Sequence, residues 1–300
     1  MFAKLPPSML LTLSALFWGG NFVVGRWAHA EIGPISLTFW RWFFAALILM
    51  PFVAGDLWRL RFEIRKHFAL IFALSVTGVA MFNAFMYLAL ATTTAVNATF
   101  VLASMPMVIP VVSFVMGEER LNLRQGTGIL ISVVGVGVII SRGQWQVFSN
   151  LAFTVGDLWV LAGVLAWSIY SVLLRRKPAT VPPLVLLAST IVMGVMLLAP
   201  FYVWEYQNLG GFALTASNAL VIGYVASFAS IVAFLCWGAG VAKVGANKAG
   251  LFIHLIPLFA SVLSIIFLNE SLKTYHVIGI APILLGIYLT TTSIQNQKVS

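Results

Sequence analysis

Apolar runs alternate along the chain with short stretches of charge, glycine or proline, and they divide it into ten helical windows. The windows are 9–27, 34–54, 67–90, 94–116, 125–141, 157–174, 182–204, 217–239, 246–268 and 275–292. Each is close to the roughly 20 residues that cross a bilayer as a helix. The runs are apolar throughout and lack the polar–apolar alternation of a membrane β-barrel. The narrowest separator is 91–93, between the third and fourth windows. This pattern predicts an all-α polytopic membrane protein with ten transmembrane helices.

The pattern also repeats. Leu16-Phe17-Trp18 through Arg26 aligns with Leu165-Ala166-Trp167 through Arg175 at an offset of 149. Further on the offset is 151: Ala95 meets Ala246, Pro106 meets Pro257, Glu119 and Leu121 meet Glu270 and Leu272, and Gly128 and Gly135 meet Gly279 and Gly286. Residues 1–150 and 151–300 then form two five-helix units. An odd number of crossings makes the second enter the membrane from the opposite face, so the repeats are expected to be inverted. Two pseudo-symmetric halves can exchange conformations and open a midplane site to each side in turn.

Composition agrees with the pattern. The 300 residues are 61% hydrophobic and only 8% charged, with a mean hydropathy of +1.02, whereas soluble domains carry about a quarter of their residues as charge. The net charge of +9 does not point to nucleic acid, because the basic residues cluster between apolar runs, as at Arg59, Arg61, Arg65 and Lys66, or Arg175, Arg176 and Lys177. Counted over alternate connections, 13 of the 17 Lys and Arg fall in the set that includes the N-terminus. Arg26, Arg41, Arg142 and Lys273 fall in the other. Both termini are therefore expected in the cytoplasm. The single Cys236 permits no intrachain disulfide. The first apolar run has no evident cleavage motif and reads as a retained helix.

Two stretches resemble a known family. Phe39-Trp40-Arg41-Trp42-Phe43-Phe44-Ala45-Ala46 resembles the arginine-containing start of the second helix in the drug/metabolite transporter superfamily. The stretch from Tyr87-Leu88-Ala89-Leu90 through Ala95, Ala98, Pro106, Gly117-Glu118-Glu119 and Gly128 to Gly135 is similar to the EamA-type repeat. It recurs as Ala246, Ala249, Pro257, Asn269-Glu270, Gly279 and Gly286. The Trp-rich first helix looks most like the YddG exporters of aromatic amino acids. The resemblance implies ten helices in two inverted repeats around a central cavity, in the bacterial inner membrane.

Polar groups inside a membrane helix are costly and usually face the bundle interior or a wet cavity. The candidate substrate-binding residues are Trp18, Asn21, Asn83, Tyr87, Trp167, Tyr170, Trp237 and His254. Trp18 and Asn21 share a helix face, as do the repeat-equivalent Trp167 and Tyr170, and Asn83 with Tyr87. Such faces pair an aromatic platform with hydrogen-bonding groups and suit an amphiphilic solute. Trp18 and Trp167 fit cavity lining better than lipid-facing positions. Asn83 fits a cavity group or an interhelical hydrogen bond equally, and a lone buried His254 fits a structural group better than a ligand. Ser104 can bond its own backbone. Trp27, Trp58, Trp145 and Trp204 fit the membrane interface. Pro106 and Pro110 in the fourth helix and Pro257 in the ninth break backbone hydrogen bonds and are candidate hinges. The paired glycines Gly128 and Gly135, Gly279 and Gly286 suit close helix packing.

No Asp or Glu falls in the middle of a predicted helix, so ion coupling through an intramembrane carboxylate is not expected. An enzyme would need a nucleophile–base set or metal ligands, and neither His-Glu-x-x-His nor Gly-x-Ser-x-Gly occurs. No cofactor is expected. The reading is a secondary transporter exporting amino acids, aromatic ones favoured, by alternating access. The alternative is a carrier of another amphiphilic metabolite or drug. Its expected partners are a small-molecule substrate and the lipid bilayer, without nucleic acid, and a monomer is expected.

Overall fold

The computed structural model describes residues 5–117, 123–144, 146, 154–244, 249 and 251–296, and among them every regular element is helical. The elements are α1 (Pro7–Ala28), α2 (Pro34–Arg59), a short α3 (Arg61–Lys66) and α4 (Phe68–Leu74), which continues through a π-helical stretch π1 (Ser75–Met81) into α5 (Phe82–Thr92). Then come α6 (Ala95–Leu102), α7 (Met105–Val115), α8 (Leu123–Ile140), α9 (Val155–Leu174) and α10 (Pro183–Leu209). After α11 (Ala216–Tyr224), a second stretch π2 (Val225–Val232) leads into α12 (Ala233–Val244). A 3-10 turn (Leu251–His254), α13 (Leu255–Leu268) and α14 (Thr274–Asn296) complete the order.

The start signals are local. Pro7, Pro34 and Pro183 occupy the first helical turn, where their missing N–H costs nothing. Thr94, Thr154 and Thr215 cap their helices by accepting the N–H of the residue three ahead. Thr94 thereby separates the third and fourth windows at their narrow joint.

Among the described residues, six helices are long and apolar enough to cross a membrane: Pro7–Ala28, Pro34–Arg59, Phe68–Thr92, Val155–Leu174, Pro183–Leu209 and Ala216–Lys243. The pair Ala95–Leu102 and Met107–Val115 makes a seventh if taken as one span bent by 47°. Gly126–Ile139, Phe252–Leu268 and Thr274–Gly286 are shorter apolar helices. Large side chains such as Phe52, Met196, Leu220 and Phe267 stand exposed on the outside of the bundle. That surface suits hydrocarbon, and the buried polar groups face inward.

The structure departs from the windows in two ways. α2 and α10 run past their predicted ends to Arg59 and Leu209, because hydropathy marks the hydrocarbon thickness and a helix can continue into the interface. The fourth window is two helices broken at 103–104, beside Pro106. Pro110 lies within α7, and Pro257 within the first turn of α13, just after the 3-10 turn. Of the ninth window, residues 246–248 and 250 (among them Lys248 and repeat-matched Ala246) lie outside the described set, as do Glu119 and Trp145.

Packing has a regular plan. α1 packs on α13 and α12, while α9 packs on α7 and α5; α2 packs on α10 and π2, and α10 also packs on π1. α8 and α14 pack on each other. Exchanging elements at the repeat offset leaves this plan unchanged. The α8–α14 contact depends on glycine, because a Cβ on Gly135 would lie 2.5 Å from the carbonyl oxygen of Gly279, and one on Gly279 2.8 Å from that of Gly135. Both obstacles are backbone, so only a shift of the helix axes could relieve them. Gly135→Val and Gly279→Val are therefore expected to destabilise the fold by about 1–3 kcal/mol, read as a lower melting midpoint in detergent. Gly55→Ala, where a Cβ would meet nothing within 4 Å, is the neutral control. Equal melting of all three would contradict the close approach.

Candidate functional site

The site begins with the two π-helical stretches. An i→i+5 turn is wider than an α turn, loosens the backbone ladder and is frequent at functional positions. In π2 the Ala229 carbonyl accepts two side-chain donors, Trp18 Nε1 at 3.1 Å and Arg41 Nη2 at 3.0 Å. Ser230 Oγ donates to the Val225 carbonyl at 2.8 Å and accepts from Arg41 Nε at 2.5 Å. In π1 the Gly78 and Val79 carbonyls accept from Asn83 Nδ2 at 3.0 and 3.1 Å. Each stretch thus hands backbone polarity to a side chain in the wall of a central cavity.

Trp18 and Asn21 from α1, Arg41 from α2, Asn83 from α5 and Trp167 from α9 line that cavity, together with apolar groups that include Phe82, Met86, Leu102, Met105, Ile253 and Ile256. It gives the centre of a water molecule about 20 Å³, room for about one or two waters. Leu102 and Met105 flank the break between α6 and α7, and Ile253 and Ile256 flank the joint between the 3-10 turn and α13. Any bending at either break changes the cavity directly.

The aromatic wall is a connected cluster. Trp18 and Trp167 meet edge-on with centroids 5.5 Å apart, and Trp18 lies 5.4 Å from Trp237 and 5.8 Å from Phe234. Trp167 also packs on Phe82 at 4.7 Å and Tyr170 at 5.0 Å. Offset and edge contacts of this kind are each worth about 0.5–1.5 kcal/mol beyond area burial.

Arg41 corrects the sequence reading, which counts it among the connections. It lies seven residues inside α2, about 10 Å along the helix from Pro34, and is 1% exposed. Its Nη1 donates to Asn21 Oδ1 at 3.3 Å and to the Tyr87 hydroxyl at 3.1 Å, and that hydroxyl donates on to Asn21 Oδ1 at 2.6 Å. The guanidinium also lies 4.9 Å from the centre of the Trp42 ring. The available signal was its place inside the 34–54 window, since an ionisable residue within a span is itself a site marker.

Of the other expected residues, Trp18, Asn21, Asn83 and Trp167 line the cavity. Tyr87, Tyr170 and Trp237 are buried one layer behind, Tyr87 through the Arg41–Asn21 network and the other two through the aromatic cluster. Tyr170 also packs where a Cβ on Gly78 would stand. His254 ends the 3-10 turn off the cavity wall, with neither ring nitrogen hydrogen-bonded. Ser104 bonds the Val101 carbonyl. Phe82, Met86, Leu102 and Met105 were not singled out from sequence, because an apolar residue facing a cavity has the same chemistry as one facing lipid.

Three carboxylates hold one end of the bundle together. Glu205 accepts the Ile35 and Ser36 N–H groups at 3.0 and 2.6 Å, and Glu270 accepts those of Ala95 and Val96 at 3.2 and 3.1 Å. Each thereby caps the N-terminus of a helix about 170 residues away in sequence, where negative charge is favoured. Asp157 accepts from Asn97 Nδ2 at 2.7 Å and from Thr93 and Thr154. Arg26 lies 4.0 Å from Glu270 and donates to the Leu90 carbonyl. Partial burial, and then the Arg26 charge, hold the nearby His29 below its ordinary pKa. Among the described residues no His, Cys, Asp or Glu cluster could hold a metal ion.

A family model described as the EamA-like transporter family matches residues 6–141 and 154–292. The chain is 26% identical over 295 residues to the uncharacterized transporter YyaM of Bacillus subtilis, covering 97% of this chain and 94% of that protein. It is 27% identical over 289 residues to an uncharacterized transporter of Archaeoglobus fulgidus, covering 94% and 96%. A protein solved as a crystal structure matches with a TM-score of 0.65 at 16% identity, over 97% of this chain and 98% of that one, a likeness of fold.

The carboxylate caps carry a direct expectation. Glu205→Ala should speed amide exchange at residues 35–36, and Glu270→Ala at 95–96, each by about tenfold, the equivalent of one charge-assisted hydrogen bond lost. Hydrogen–deuterium exchange with mass spectrometry reads this. Unchanged protection at both helix starts would show that the caps do not hold that end.

Proposed function

The chain belongs to the EamA-like transporter family, and on that premise we propose that it exports amino acids, aromatic ones favoured, by alternating access. The observation that carries the reading is the cavity wall, where Trp18 and Trp167 stand beside the amides of Asn21 and Asn83 inside a membrane-spanning bundle. Indole rings offer an apolar platform and the amides offer hydrogen bonds, the combination an amino acid with an aromatic side chain requires. A relay of Tyr87, Tyr170 and Trp237 behind them fixes their orientation. His254, with both nitrogens unpartnered beside Ile253, is available to the solute once its segment moves.

In this reading the seven longer spans and three shorter apolar helices make ten crossings, arranged as inverted halves over 1–150 and 151–300. The exchange-invariant packing plan, the paired π stretches about 151 residues apart and the two-segment family match support that arrangement. The breaks beside Pro106 and Pro257 act as hinges, with Pro110 softening α7, and bending them opens the cavity. In this reading the basic connections, and with them both termini, lie in the cytoplasm and the membrane is a bacterial inner membrane.

Counterflow in proteoliposomes tests the reading. Liposomes preloaded with unlabelled phenylalanine or tryptophan should accumulate the labelled amino acid with saturable kinetics. Trp167→Ala should lower that flux by about tenfold or more, the scale of a lost aromatic contact with the solute. Absence of counterflow for every amino acid tested would overturn the substrate assignment, and undiminished flux in Trp167→Ala would remove that residue from the site.

A further inference from the structure

Resting on the carrier reading above, we propose that Arg41 is the anion subsite of the cavity and receives the carboxylate of the transported solute. Arg41 lines the cavity and is 1% exposed. Its four acceptors are the Ser230 hydroxyl, the Asn21 amide oxygen, the Tyr87 hydroxyl and the Ala229 carbonyl, all neutral. Among the described residues no Asp or Glu lies within ion-pair distance of it. These bonds fix the plane of the guanidinium and solvate it, but they leave a full positive charge in a low-dielectric wall. A guanidinium has five N–H groups, so four acceptors leave one on Nη2.

A structural staple between helices needs no charge, and in a membrane interior the charge is costly. Recognition of an anion gives it a use. A solute carboxylate at Nη2 neutralises the wall in a charge-assisted hydrogen bond. The indole of Trp18 shares the Ala229 carbonyl with Arg41, so a ring seated on the Trp18–Trp167 wall holds its carboxylate within reach of the guanidinium. The same charge repels a solute that carries only an ammonium, which excludes cationic amphiphiles by electrostatics. The class selected is carboxylates and zwitterions with an aromatic or long apolar side chain.

Three probes separate this from the carrier reading: L-phenylalanine, 3-phenylpropanoate (carboxylate, no amine) and 2-phenylethylamine (amine, no carboxylate). Binding is read as thermal stabilisation of the detergent-purified full chain, and transport as competition against labelled phenylalanine in counterflow. The two carboxylate probes should stabilise the wild-type chain at concentrations at least about tenfold below the amine. Arg41→Gln should abolish the preference, and Arg41→Lys, which keeps charge but loses the planar fork, should weaken it. Should Arg41→Gln not fold, the wild-type probe series decides alone. Equal stabilisation by amine and carboxylates, or by none of the three, overturns the proposal. Carboxylate-selective binding without any counterflow leaves the subsite standing and overturns the carrier reading. Counterflow that the amine inhibits as well as the carboxylates does the reverse.

Discussion

A guanidinium placed about 10 Å inside a membrane helix must be solvated by protein, and the arrangement around Arg41 follows from that requirement. α1 supplies Asn21, the third span supplies Tyr87, and π2 supplies Ser230 and the Ala229 carbonyl. The Ala229 carbonyl, inside the π turn, accepts from both Arg41 and Trp18. Trp18 in turn sets the edge-on contact with Trp167, and through it the orientation of the aromatic wall. Charge, backbone irregularity and ring packing are therefore one unit drawn from at least four separate helices.

The mechanics lie in the same neighbourhood. Side chains on both sides of the α6–α7 break and of the 3-10 joint before α13 form part of the cavity wall. The carboxylate caps of Glu205 and Glu270 hold helix starts from the other half of the chain at one end of the bundle. In the alternating-access proposal, these caps and breaks are the parts that change.

The helical frame was legible because a run of some 20 apolar residues has few other solutions. The aromatic faces were legible for the same reason, as large polar-tipped residues stand out against Leu, Val and Ala. Three features were not. The π stretches follow no hydropathy pattern, since hydropathy carries no signal for i→i+5 bonding or for the side-chain donors, Asn83 and Arg41, that their carbonyls receive. The helices outlast their windows at Arg59 and Leu209 because hydropathy reports solvent and not backbone. Arg41 was assigned to a connection because counting basic residues for sidedness treats each one as water-exposed, although its neighbours Phe39 to Phe44 form an unbroken aromatic and apolar stretch on both sides.

The central claim is that the buried charge of Arg41 and the Trp18–Trp167 wall form one binding site for a carboxylate-bearing solute. A structure of the full chain determined with an aromatic amino acid bound tests this most directly. The expected result is the solute's carboxylate within about 3 Å of Arg41 Nη2, with its ring against Trp18 and Trp167. A solute bound with its carboxylate turned away from Arg41, or seated outside that wall, would contradict the account.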